Sequence, residues 1–135
     1  MAHRDDPIGT AARVFRLGWI RRGPNLNEFF VHHEDVRRAQ ADWKPRELSA
    51  EVQAYLWRRL STAGKLLFRR TAVGVLLAWP DAATVRVRKG EPTAVVEGKP
   101  GELVLYACGR QAVAKVELRG PNAATEALSQ AKLGY

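Results

Sequence analysis

The sequence predicts an α+β protein: a helical N-terminal segment, then an antiparallel sheet covered by helices. Apolar residues recur at helical spacing as far as Arg69, and the period changes to two after Arg70. Beyond that point clusters of Gly, Pro and Asp punctuate the chain every few residues, as turns do. At 135 residues with 46% hydrophobic content, the chain is large enough to bury a core.

Thr10 to Ile20 carries Ala11, Val14, Phe15, Leu17 and Trp19 in an imperfect helical pattern that Gly23-Pro24 ends. Asn25 or Asn27 can cap a second helix reaching Ala41, with Phe29, Phe30, Val36 and Ala39 as its apolar residues. Lys44-Pro45 breaks the chain, and Ser49 opens a long helix to Arg69. There Val52, Leu56, Leu60, Ala63 and Leu67 form a stripe that Tyr55, Trp57 and Leu66 widen. Val73, Val75 and Leu77 alternate to Trp79-Pro80, a turn follows at Asp81-Ala82-Ala83, and Val85 and Val87 alternate with Arg86 and Arg88. Lys89-Gly90-Glu91-Pro92 turns the chain into a third strand, Thr93 to Glu97, completing a three-stranded meander. Gly98-Lys99-Pro100-Gly101 leads to a helix over Glu102 to Gln111, a strand over Ala114 to Arg119, and a last helix from Asn122 to Lys132. This divides the chain into a helical segment, residues 1–44, and an α+β domain, residues 45–135.

The formal net charge is +8, but the cations are dispersed. The pairs Arg21-Arg22, Arg37-Arg38, Arg58-Arg59 and Arg69-Arg70 read as solvated helix faces, so a nucleic-acid partner is not expected. A lone cysteine, Cys108, excludes an intramolecular disulfide and suits a reducing cytoplasm. Neither a signal-peptide core nor a membrane-length apolar run is present, so a cytoplasmic, membrane-free protein is expected.

Chemistry is concentrated in Asn27-Glu-Phe-Phe-Val-His-His-Glu-Asp-Val-Arg-Arg-Ala39. On a helix, Glu28, His32 and Asp35 stand at i, i+4 and i+7 and share a face. A carboxylate and an imidazole one turn apart can chelate zinc or another divalent metal. A third ligand would come from His3, His33 or a partner chain. Asp35 either orients a histidine from behind or pairs with Arg38 one turn on. Cys108 reads as a small buried thiol. Trp57, Phe68, Trp79 and Tyr106 either line an apolar ligand cavity or form core.

Glu28-Phe-Phe-Val-His32-His-Glu-Asp35, Gly101-Glu-Leu-Val-Leu-Tyr-Ala-Cys-Gly109-Arg110 and the closing Val116-Glu-Leu-Arg-Gly-Pro121 together resemble the mycothiol-dependent maleylpyruvate isomerase-like family and its actinobacterial relatives. That family joins a DinB-like four-helix metal-binding domain to a sterol-carrier-protein-2-like domain. The resemblance covers residues 25–135. It implies Glu28 and His32 as metal ligands, the family's further histidine coming from an earlier helix, and a thiol such as mycothiol as cosubstrate. It also implies that Arg110 meets an anionic substrate; its alternative role is to complement a helix dipole. With 24 residues ahead of the matching segment, the chain reads as an N-terminally truncated member, residues 1–44 being a remnant of the bundle. The implied function is a metal-dependent thiol transferase or isomerase relative. The alternative is a non-catalytic module whose C-terminal domain takes an apolar ligand or a protein partner. An unfinished bundle leaves Phe29, Phe30 and Val36 uncovered, which predicts a homodimer.

Overall fold

The computed structural model describes residues 24–134 except residue 46, with side chains from Phe30 onward. The expected helix at Thr10 to Ile20, His3, and the side chains of Glu28 and Phe29 lie outside the described residues. The chain divides into two compact units, Met1–Val52 and Gln53–Tyr135.

In the first unit, helix α1 runs Pro24–Arg38. Proline suits a first helical turn, where its missing N–H costs nothing. Phe30 and Val31 are buried, whereas Val36 is 67% exposed. Of the apolar residues on which self-association was expected to rest, Phe30 is therefore already covered. The Arg37-Arg38 pair is no solvated face either. Arg38 is buried, its Nε 2.9 Å from Glu34 Oε1, which also accepts from Arg37 Nη1 at 2.6 Å. The Arg38 guanidinium lies 4.6 Å from the centre of the Trp43 ring, a cation–π contact. Arg37 Nη2 donates to Lys44 O at 2.7 Å, holding the turn after the helix.

Helix α2, Ala50–Leu67, starts where Ser49 Oγ accepts from Val52 N at 3.2 Å, an N-cap bond. The boundary between the units falls in its first turn. Its stripe behaves as spaced: Leu56, Leu60 and Leu67 are buried, each contributing about 2 kcal/mol of apolar transfer. Leu66, expected to widen that stripe, is 47% exposed.

The second unit is built on strands β1 (Gly74–Trp79), β2 (Ala83–Arg88), β3 (Thr93–Glu97) and β4 (Glu117–Arg119), with helices α3 (Pro100–Ala107) and α4 (Asn122–Ser129). The α+β class stands, but the sheet is mixed, not antiparallel. Strand order is β2-β1-β3-β4, and β1 pairs parallel with β3. The expected meander fails because the chain leaving β2 passes the start of β1 and emerges on its far side. Two glycines allow the crossing. A Cβ on Gly74 would strike Gly90 O, and one on Gly90 would come within 3.0 Å of Gly74 N. Gly74 N then donates to Pro92 O at 3.0 Å and seats β3 against β1. The hairpin strand β2 thus serves as the crossover that parallel neighbours require.

The β1–β2 turn places Asp81 at φ 62°, a left-handed conformation that a short polar side chain tolerates. Between Val75 and Leu76 the β1–β2 register shifts: Val75 pairs Arg88 and Leu76 pairs Arg86, leaving Val87 as the extra residue of a bulge. β4 joins antiparallel to β3, where Arg119 bridges Glu97 at 2.7 Å and Glu117 at 3.6 Å. α4 lies against β3.

Helix α3 is buried at all of its residues. Its N-terminus has no cap from its own segment. Instead Gln53 Oε1, on α2, accepts from Gly101 N at 3.0 Å. Pro100 and Gly101, read from sequence as a turn, are its first helical residues.

Candidate functional site

The C-terminal end of α3 builds the most suggestive site. There Gly109 N donates to Tyr106 O at 3.1 Å and Arg110 N to Leu105 O at 2.9 Å. With Gly109 at φ 92°, this is a Schellman stop, and it ends the helix at Ala107 although the sequence pattern runs on to Gln111. The chain then turns through Arg110–Ala114 toward β4. Glu102 Oε1, on α3, accepts from Lys115 N at 2.9 Å and anchors that approach.

Between this turn, β4 and α4 lies an open cleft of about 530 Å³. Ala112, Ala114, Val116 and Leu118 supply apolar lining, and Tyr106, Gln111 and Ser129 the polar groups. Gln111 Nε2 donates to Ala131 O at 3.1 Å and Leu128 O at 3.4 Å, the end of α4, which orients its amide. The Tyr106 hydroxyl is buried and meets no partner in full hydrogen-bonding geometry. Burial pushes its pKa above the usual 10.0, and the Gln111 side chain offsets this in part. At neutral pH Tyr106 is therefore neutral, a buried donor on a residue that lines the cleft.

The alkaline behaviour follows. The unfolded phenol ionises near pH 10 and the folded one above it, so between the two values the folded state holds the extra proton. Its contribution is intact below the unfolded pKa, and stability falls as pH rises through the interval. Burial raises Tyr55 in the same direction, against the lowering influence of Arg59 and Arg58. Ultraviolet titration of Tyr106→Phe is expected to lose one late-titrating phenol and to unfold at higher pH than the parent. An unchanged number of late-titrating phenols in the variant, where the Tyr55 phenol alone should remain late, would contradict this assignment.

The other sequence candidates are dispersed. Arg110 sits between two residues lining the cleft, but its Nη1 donates to Cys108 O at 2.7 Å. That is the helix-end arrangement, a cation against the carbonyls that close α3. Cys108 is half-buried, more open than the enclosed thiol expected, because it is the C-cap of α3. Phe68 is fully buried core. Trp57 and Trp79 pack on each other at 5.8 Å between ring centres, tilted by 49°. Of the aromatic candidates, Tyr106 is the one among the residues lining this cleft.

On α1, Glu28 and His32 do fall on one continuous helix, and His32 is exposed. His33, expected to be exposed, is half-buried, as is Asp35. Among the described residues no group of three or more His, Cys, Asp and Glu side chains comes together as a metal site; the Glu28 side chain is not among them. The residue that sequence reasoning missed here is Glu34. Its spacing of three and four from Arg37 and Arg38 was visible in the sequence. Gln111 was missed because the helix was drawn through it.

Family models, curated proteins and solved structures were compared with this chain, and none matches it. No helix among the described residues is long and apolar enough to cross a membrane.

Proposed function

We propose that the Gln53–Tyr135 unit is a ligand-binding module whose small amphipathic ligand lies in the cleft between the turn after α3, β4 and α4. The observation that carries this reading is the pairing of an apolar wall, Val116 and Leu118, with the buried hydroxyl of Tyr106 beside Gln111. Apolar surface supplies affinity, and a few placed polar groups set orientation. The ligand's apolar body would cover the wall, and its carbonyl or hydroxyl oxygen would accept from Tyr106. The reading agrees with a sterol-carrier-protein-2-like domain, the kind suggested by the Gly101–Arg110 and Val116–Pro121 segments.

Titration with a medium-chain fatty alcohol and its alkane tests this, with binding followed by calorimetry. The alcohol should bind more tightly than the alkane, and Tyr106→Phe should erase the difference, about 1 kcal/mol or roughly fivefold in Kd. Leu118→Arg should abolish binding of both. Equal binding by parent and Leu118→Arg would refute the cleft as the site.

A second reading concerns α1. The helix carries Glu28 and His32 at the chelating interval, and the resemblance to mycothiol-dependent maleylpyruvate isomerase-like proteins gives that interval a use in zinc binding. There the metal would lower the pKa of a bound thiol such as mycothiol, with Asp35 behind the histidine and a third ligand from His3, His33 or a second chain of a homodimer. Elemental analysis of purified protein should return near-stoichiometric zinc that is lost in Glu28→Ala/His32→Ala. Metal-free protein after zinc loading and desalting would remove the thiol-transfer reading and leave the binding module.

A further inference from the structure

We propose that a second cleft, at the bulged edge of the sheet, binds a phosphate-bearing small ligand. This cleft, of about 350 Å³, is lined by Lys65 of α2 and by Arg86, Val87, Arg88 and Lys89 of and just after β2. Its charged lining among the described residues is wholly cationic. Among the described residues, neither Lys65, Arg86, Arg88 nor Lys89 enters an ion pair, although Glu91 follows closely in the chain. Cations brought together without a carboxylate repel one another, and an anion relieves that repulsion.

The bulge is what assembles the site. In a regular strand Arg86 and Arg88 would share one face and Val87 the other. With Val87 as the extra residue, Arg88 comes opposite Val75, the buried position on β1. Val87 packs so closely on α2 that a Cβ on Gly64 would collide with it, and Lys65 is the next residue of that helix. Arg88 and Lys65 thereby line a single cleft. The Arg88 Nε–H is buried and meets no acceptor among the described residues. A buried guanidinium N–H without an acceptor calls for one from outside the chain. Arg86 is steadied by Nη1 donating to Arg88 O at 3.3 Å and Thr93 Oγ1 at 3.4 Å. A phosphate suits this donor set because it offers several acceptor oxygens to a fork and to point charges at once. The cleft's size favours a compact phosphate or pyrophosphate group over a nucleic-acid backbone, which needs a continuous track.

The test is titration of labelled full-length protein with inorganic pyrophosphate, followed by amide chemical shifts. Ionic strength is held constant with chloride. Expected are saturable shifts centred on residues 64–65 and 86–90, and a Kd raised about tenfold by Arg88→Ala. Arg88→Lys, which keeps charge but loses the fork, should recover only part of the affinity and guards against misfolding of the alanine variant. Arg119→Ala, at the ion pair on β3–β4, should bind as the parent does. Several results would overturn the proposal: non-saturable shifts spread over all arginines, an unchanged Kd in Arg88→Ala and Arg88→Lys, or binding to an oligonucleotide with none to pyrophosphate. Basic side chains on an edge strand also deter strand pairing between molecules. That role alone requires no ligand and predicts the first of those results.

Discussion

Gly74→Ala is expected to destabilise the Gln53–Tyr135 unit by about 3 kcal/mol, at the upper end of what one added methyl costs in a packed interior. The new Cβ would lie 2.6 Å from Thr93 Oγ1 and 3.0 Å from Gly90 C, and would strike Gly90 O. Most of these neighbours are backbone, held by the Gly74 N to Pro92 O bond and by Thr93 Oγ1 donating to Gly90 O at 2.9 Å. The clash cannot be relieved by turning a side chain. The link must lift away from the start of β1, and the parallel β1–β3 pairing begins at that point. Urea unfolding followed by far-ultraviolet circular dichroism measures the loss. Gly98→Ala is the control, since its Cβ would approach the Val116 side chain at 3.1 Å and Lys115 O at 3.3 Å, contacts that small shifts relieve. Its cost should stay below about 1 kcal/mol. An unchanged midpoint for Gly74→Ala would mean that the link does not cross where the structure places it.

Glu34→Ala is expected to cost about 3 kcal/mol by a different route. The Glu34 and Arg38 side chains are 1% and 2% exposed, and Arg37 joins them from a more open position. Removing the carboxylate takes away the anion 2.9 Å from Arg38 Nε while the guanidinium stays buried. The Trp43 ring recovers only part of that, since a cation–π contact contributes about 1 kcal/mol. Replacing both members, Glu34→Met with Arg38→Met, should restore most of the stability, because a well-packed apolar pair has no charge to desolvate. If the double variant were as unstable as Glu34→Ala, the loss would come from packing and not from the stranded charge.

Much of the secondary structure was legible from local patterns. The α2 stripe at three and four, Ser49 as its cap, the exact span of β3 and the Gly120-Pro121 start of α4 all follow from neighbouring residues. The cleft was less legible. Tyr106 stood among the cavity candidates, but Gln111 was drawn into a helix that Gly109 ends. Arg37-Arg38 looked solvated because charge pairs usually are, and Glu34, at three and four residues from them, was not recognised as their buried carboxylate. Recognising Glu34 as the buried carboxylate required knowing which side of α1 is buried, and the pattern of α1 is too weakly amphipathic to say.

Spacing along the chain determined the α+β class, the order of the described elements and the helical interval of Glu28 and His32, because each depends on residues within a few positions of one another. Strand order, the parallel β1–β3 pairing, the capping of α3 by Gln53 and the gathering of Lys65 with Arg88 were decided by the tertiary structure alone. A short link after β2 can return on either side of β1 with the same local turn chemistry. What selects the far side is the close approach of two glycines, Gly74 and Gly90, and a backbone bond between Gly74 and Pro92. Those contacts join positions that the sequence keeps well apart, and they exist only once the sheet has formed.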